Sequence, residues 1–144
     1  MSLPPSVLLY FDASVLYGSD NATPTSAAIG YHVDAGTETR VAVSERVEAF
    51  VSSTDLEYRA LLEAVRAVTD RFPDVSSLHV HGDADVVIRT VDPDHPARAR
   101  SSIARRRVAA IRDHVDDVPV VTYHAVARGH NERAHELARA GHDR

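Results

Sequence analysis

The sequence predicts an α/β domain: a mixed five-stranded sheet, three antiparallel strands followed by two parallel additions, with helices on both faces. Three observations carry this reading. Two strand-like segments flank Gly36 as a hairpin, short apolar segments then alternate with segments of helical period, and acids stand at strand ends and a helix start, where α/β folds build their sites. A length of 144 residues fits one domain spanning residues 1–144, and 44% hydrophobic content is enough for its core.

Residues 6 to 14 (SVLLYFDAS) form an apolar run of strand formers broken by Asp12. Gly, Asn, Asp and Pro make residues 17 to 25 a loop, and residues 26–35 and 38–47 pair as a hairpin with Asp34 and Gly36 as turn residues. A helix follows, opened by a capping box of Thr54 and Glu57, carried by Leu61, Ala64, Val65 and Val68 at helical spacing, and ended before Phe72-Pro73. Residues 76 to 83 (SSLHVHGD) read as a strand and 84 to 91 as a short helix, which the two prolines of Asp92-Pro93-Asp94-His95-Pro96 must break. From Ala97 to Val115 the pattern is helical again, with Ala104, Val108, Ile111 and Val115 inward and Arg98, Arg105 and Arg112 outward at intervals of seven. Residues 119 to 126 make the last strand, and residues 131–140 the last helix with Asn131 as its N-cap.

Composition narrows the function classes. No cysteine excludes a disulfide scaffold and a thiolate zinc site, and no apolar run approaches a membrane span. The opening segment lacks a basic region and a long apolar core, so the expected address is the cytoplasm. All 16 basic residues are arginine. The missing lysine fits either a genome rich in arginine codons or a surface adapted to high salt, and the net charge of -5 leans toward the second. An acidic protein that binds a polyanion must use a local basic patch or metal ions.

Asp12 interrupts an apolar strand, Asp83 closes another directly after Gly82, and Glu57 lies on the buried stripe of its helix. Burying a carboxylate costs several kcal/mol unless it is paired or metal-bound, and clustered carboxylates stay ionised only beside a cation. Oxygen ligands suit Mg²⁺ or Mn²⁺, and a pair of such ions can clamp the attacking and leaving oxygens of a phosphodiester. Singly, each acid also has a plain structural use: Glu57 in a capping box, Asp12 in a turn, Asp83 as a helix cap, Asp85 at the surface.

Together the segments LLYFDAS, DLEYRALLEAV, LHVHGDADVVI and NERAHELARAG resemble ribonuclease H type 1, in that family's order and over nearly the whole chain. The resemblance implies the ribonuclease H-like fold and hydrolysis of the RNA strand of an RNA/DNA hybrid by two divalent ions, leaving a 5'-phosphate and a 3'-hydroxyl. It carries the metal ligands over to Asp12, Glu57, Asp83 and position 135. There this chain has His135 where the family has Asp, and imidazole favours Mn²⁺ over Mg²⁺. His130 stands where many members carry a mobile histidine that assists proton transfer or product release. Ser53 and Thr54 occupy minor-groove positions, where polar groups can read the 2'-hydroxyl of RNA. Asp85, Asn131, Arg98, Arg105 and Arg106 complete the expected substrate-binding set, the arginines replacing a basic helix that some members have and this chain lacks. The resemblance with the lysine-free composition points to a salt-loving archaeon, and to a monomer without an obligate protein partner. Two alternatives keep the fold: a nucleic-acid-binding module whose catalysis is weakened by His135, and a nuclease of the same superfamily acting on another substrate such as a DNA junction.

Overall fold

The computed structural model describes residues 5–48 and 52–144. Its elements run β1 (Ser6–Tyr17), β2 (Pro24–Ala35), β3 (Glu38–Val47), α1 (Ser53–Arg71), β4 (Ser77–Gly82), α2 (Asp85–Val91), α3 (Ser102–Val115), β5 (Val120–Ala125) and α4 (Glu132–Ala140), with single 3-10 turns at Arg128–His130 and Gly141–Asp143. The sheet order is β3-β2-β1-β4-β5. β1 pairs antiparallel with β2 and β2 with β3, while β4 runs parallel to both β1 and β5. This is the mixed five-stranded sheet expected, three antiparallel strands followed by two parallel additions. No helix among the described residues is long and apolar enough to cross a membrane.

Alternation along β1 sorts its side chains between two layers. Val7, Leu9 and Phe11 are fully buried on the face packed by α1, whose Leu61, Ala64, Val65 and Val68 are equally buried. α3 lies against α1 and α2 through Ala104, Val108, Ile111 and Val115, the inward stripe read from the sequence. The opposite face meets α4. Here Gly30 allows close approach, since a Cβ at this position would lie 2.2 Å from the Ala138 nitrogen, and the Ser44 hydroxyl donates to the Leu137 carbonyl at 2.6 Å. Beyond α4, the His142 ring bonds Ser26 Oγ at 2.7 Å and Ser14 Oγ at 2.9 Å, fastening the following turn to β1 and β2.

Several boundaries move. β1 and β2 are longer than predicted because their ladder continues to Tyr17 and Pro24, leaving a shorter loop. Gly36 takes the positive φ of 64° expected of a tight hairpin. Helix α1 is capped by Ser52, whose side chain accepts from the Asp55 N–H at 3.1 Å, so Thr54 lies inside the first turn and the Thr54 and Glu57 capping box does not form. Helix α3 begins at Ser102 rather than Ala97, because Ser101 caps it by accepting from the Ala104 N–H at 3.0 Å. Arg98 therefore precedes the helix. Arg112 does not face outward either, since it donates to the Thr90 and Val91 carbonyls at the end of α2.

The tight seat of α4 gives a test by denaturant unfolding. Gly30→Ala should lose about 1–3 kcal/mol through overpacking, whereas Gly129→Ala, which meets nothing within 4 Å, should leave the urea midpoint in place. Equal stability of the two variants would contradict this packing.

Candidate active site

Parallel pairing of β1 with β4 sets Tyr10 beside His81, and two residues further on come Asp12, still within β1, and Asp83, just past the end of β4. Helix α1 delivers Glu57 to the same place from its second turn. Ligand-capable oxygens of Asp12, Glu57 and Asp83 lie within 4.8 Å of one another, the one such group of three acids or histidines among the described residues. Asp12 is 4% exposed, buried as the apolar strand around it requires.

Glu57 is held by a contact far apart in sequence: its Oε1 accepts the Ala13 N–H at 3.1 Å. Its Oε2 is buried with no hydrogen-bond partner. An orphaned carboxylate oxygen in a dry place costs about 1–3 kcal/mol or more, so a native site keeps one for a purpose. Burial first, then the neighbouring Asp12 and Asp83, push the Glu57 carboxyl well above its ordinary range. Burial and Asp12 likewise raise Asp83, partly offset by the Arg128 guanidinium. A divalent cation on oxygen ligands removes the repulsion and satisfies the orphan oxygen, so the donor set fits Mg²⁺ or Mn²⁺.

His135 stands at the edge of the three acids, not among them. Its Nδ1 lies 2.9 Å from Asp12 Oδ2, and because a carboxylate only accepts, Nδ1 carries the proton. Arg128 lies 3.5 Å from both ring nitrogens of His135. Sequence reasoning missed this arginine, which the turn before α4 brings over the ring; its only signal was a basic residue seven positions before His135 in a short loop. Glu136 and Asp143, carboxylates near His135 in the closing segment, are exposed and outside the cluster.

The remaining candidates spread over the adjoining surface. Ser53, Thr54, Glu57 and Asp85 line one shallow groove of about 280 Å³, and Thr54 also lines a second of about 260 Å³ with Asp55, Arg98, Arg100 and Ser101. Asp85 forms an i, i+4 ion pair with Arg89. Arg105 donates to the Arg100 carbonyl at 3.0 Å, Arg106 is exposed, and Arg107 is spent on the Asp55 carbonyl, tying α3 to the start of α1. His130 is exposed on the 3-10 turn, away from the acids' hydrogen bonds. Asn131 occupies the N-cap position of α4 but does not cap it: its Nδ2 donates to the Phe11 carbonyl at 3.0 Å, and its Oδ1 is buried without a partner.

Comparison with known proteins gives one family and a set of folds. The model of the family described as reverse transcriptase-like matches residues 16–141. No curated protein matches the sequence. The RNase H1 of the halophilic archaeon Halobacterium salinarum NRC-1 superposes with a TM-score of 0.81 at 22% identity, covering 96% of this chain and 98% of that one. LC11-RNase H1, solved in complex with an RNA/DNA hybrid, gives 0.81 at 18% identity over 96% and 97% of the two chains. The N-terminal RNase H domain of a Mycobacterium tuberculosis protein gives 0.82 at 15% identity over 96% and 94%. The fold is therefore RNase H-like.

The electrostatics of the acids fix a pH dependence. A folded-state carboxyl raised above its ordinary value of 4.5 contributes stability that is present below that value and lost as pH rises through the folded value. The metal-free chain should thus lose stability as pH rises above about 4.5, and Mg²⁺ or Mn²⁺ should raise the melting temperature more at pH 8 than at pH 5, with Glu57→Gln losing most of the difference. Thermal unfolding at the two pH values checks this; equal cation effects in both would refute it.

Proposed function

This chain belongs to the reverse transcriptase-like family, and on that premise we propose that it is an endonuclease that hydrolyses the RNA strand of RNA/DNA hybrids, leaving 5'-phosphate and 3'-hydroxyl ends. One observation carries the proposal: Asp12, Glu57 and Asp83 converge around an unpartnered carboxylate oxygen on an RNase H-like fold. The likeness to a structure solved with an RNA/DNA hybrid supports the choice of substrate.

In this reading the three carboxylates hold two divalent ions, which when bound supply an activated water and neutralise charge on the leaving oxygen. Everything else falls to the chain. The Ala13 N–H fixes one oxygen of Glu57 and leaves the other free to hold a cation, and His135 fixes the orientation of Asp12. Ser53 and Thr54, on the groove that contains Glu57, contact the 2'-hydroxyl and so choose RNA over DNA. Arg98, Arg105 and Arg106 contact phosphates of the hybrid, with affinity that falls as salt rises. His130, exposed and close in sequence to α4, assists product release.

His135 makes the cation site weaker than one of four acids. Two unit charges 4 Å apart interact by about 4 kcal/mol at an effective dielectric of 20, so exchanging a carboxylate for an imidazole beside a dication is a large change. Arg128 adds positive charge at the same place. The preference for Mn²⁺ that an imidazole ligand would bring loses its ground here, because His135 Nδ1 is held by Asp12 and the three carboxylates suit Mg²⁺ and Mn²⁺ alike.

Cleavage of a labelled RNA/DNA hybrid, alongside RNA/RNA, DNA/DNA and a four-way junction, tests the substrate; Asp83→Asn should lower the rate at least about a hundredfold. Binding of the hybrid without cleavage in either metal would favour the weakened binding module, and cleavage of the junction alone the other nuclease. His135→Asp should lower the Mg²⁺ concentration for half-maximal rate severalfold, and an unchanged requirement would remove position 135 from the cation site.

A further inference from the structure

The sheet face that carries Asp12 also holds a group of imidazoles to which hydrolysis gives no task. His79 and His81 alternate on β4, and in the parallel register His124 of β5 stands beside His81 while Thr122 stands beside His79. All four side chains share one face. The row continues inward through Tyr10 and His32, with ring centroids 5.0 Å apart for His81 and His124, 4.5 Å for Tyr10 and His81, and 4.8 Å for Tyr10 and His32, each pair stacked. Stacking fixes the ring planes, and the row ends at His124, exposed on the edge strand.

Two of these rings point at one atom. The Thr122 hydroxyl lies 2.6 Å from His79 Nδ1 and 2.8 Å from His124 Nε2. Nitrogens from two neighbouring strands thus converge on a single small oxygen, at the half-open margin of the sheet where water has access. We propose that His79 and His124, converging on Thr122 and flanked by His81, form a binding site for a borderline divalent ion such as Zn²⁺, Ni²⁺ or Cu²⁺.

The donor chemistry separates this site from the acids. Imidazole nitrogen suits zinc, nickel and copper, whereas the carboxylates suit Mg²⁺ and Mn²⁺. Metal to imidazole bonds are about 2.0–2.1 Å, shorter than the present hydrogen bonds, so the ion takes the place of the hydroxyl and draws both rings inward. Thr122 then turns away or joins as a weak oxygen ligand, and water fills the remaining positions. Such an ion joins the edge strand to β4 just before Asp83, and just before the turn that carries Arg128. It therefore stabilises the one strand of this half that has a single neighbour. The inference stands apart from the hydrolytic reading, because neither histidine belongs to the acid cluster.

Titration of the full chain with Cu²⁺ in saturating Mg²⁺, followed by electron paramagnetic resonance, tests it. One bound Cu²⁺ with couplings to at least two nitrogens is expected, weakened at least about tenfold in His124→Asn and in His79→Asn and unchanged in His114→Asn and Glu57→Gln. Zn²⁺ should raise the melting temperature of the unaltered chain but not that of His124→Asn, whose exposed position keeps folding intact. Cu²⁺ binding that survives both histidine substitutions, or that is lost in Glu57→Gln instead, would overturn the assignment.

Discussion

The arrangement turns on the mutual repulsion of three carboxylates around one oxygen that no protein group satisfies. Asp12 sits in a strand because the strand is buried on both faces at that point, Glu57 because the Ala13 N–H holds it, and Asp83 because β4 ends beside β1. None of these placements is favourable alone. Each becomes favourable when a dication occupies the centre, which is how a fold can hold such a group at the cost of some stability in the free state.

The rest of the molecule serves that placement. Parallel β1 and β4 set two acids level; the buried stripe of α1 presses its first turns against β1; and α4, seated on Gly30, brings His135 to Asp12. Asn131 contributes a buried link from the start of α4 to β1 through the Phe11 carbonyl. These contacts of α4 join residues more than a hundred positions apart, so the acid group reports on the integrity of the whole sheet. His135, bonded to Asp12 and with Arg128 against it, places nitrogen donors and positive charge at this edge of the acid group.

Much of the fold was legible because period and punctuation agree: Leu61, Ala64, Val65 and Val68, or Ala104, Val108, Ile111 and Val115, mark buried stripes without reference to distant residues. The three acids were legible because each breaks an apolar pattern. What escaped were choices between equivalent local signals and contacts made only by register. Ser52 and Thr54 both lie ahead of an acid three residues on, and the backbone chose Ser52; Ser101, not Pro96, set the start of α3. The bond from Ala13 to Glu57, the placement of Arg128 over His135, and the alignment of His79, His81 and His124 with Tyr10 depend on which strands pair and in what register, and nothing local in the sequence encodes that.

Crystals of the full chain soaked in Mn²⁺ and measured at the manganese absorption edge bear most directly on the central claim. The expected result is anomalous density bounded by Asp12, Asp83 and Glu57, with Glu57 Oε2 ligating and its Oε1 still on the Ala13 N–H. Saturating Mn²⁺ that leaves this place empty, with Glu57 unchanged beside Asp12, would contradict the account.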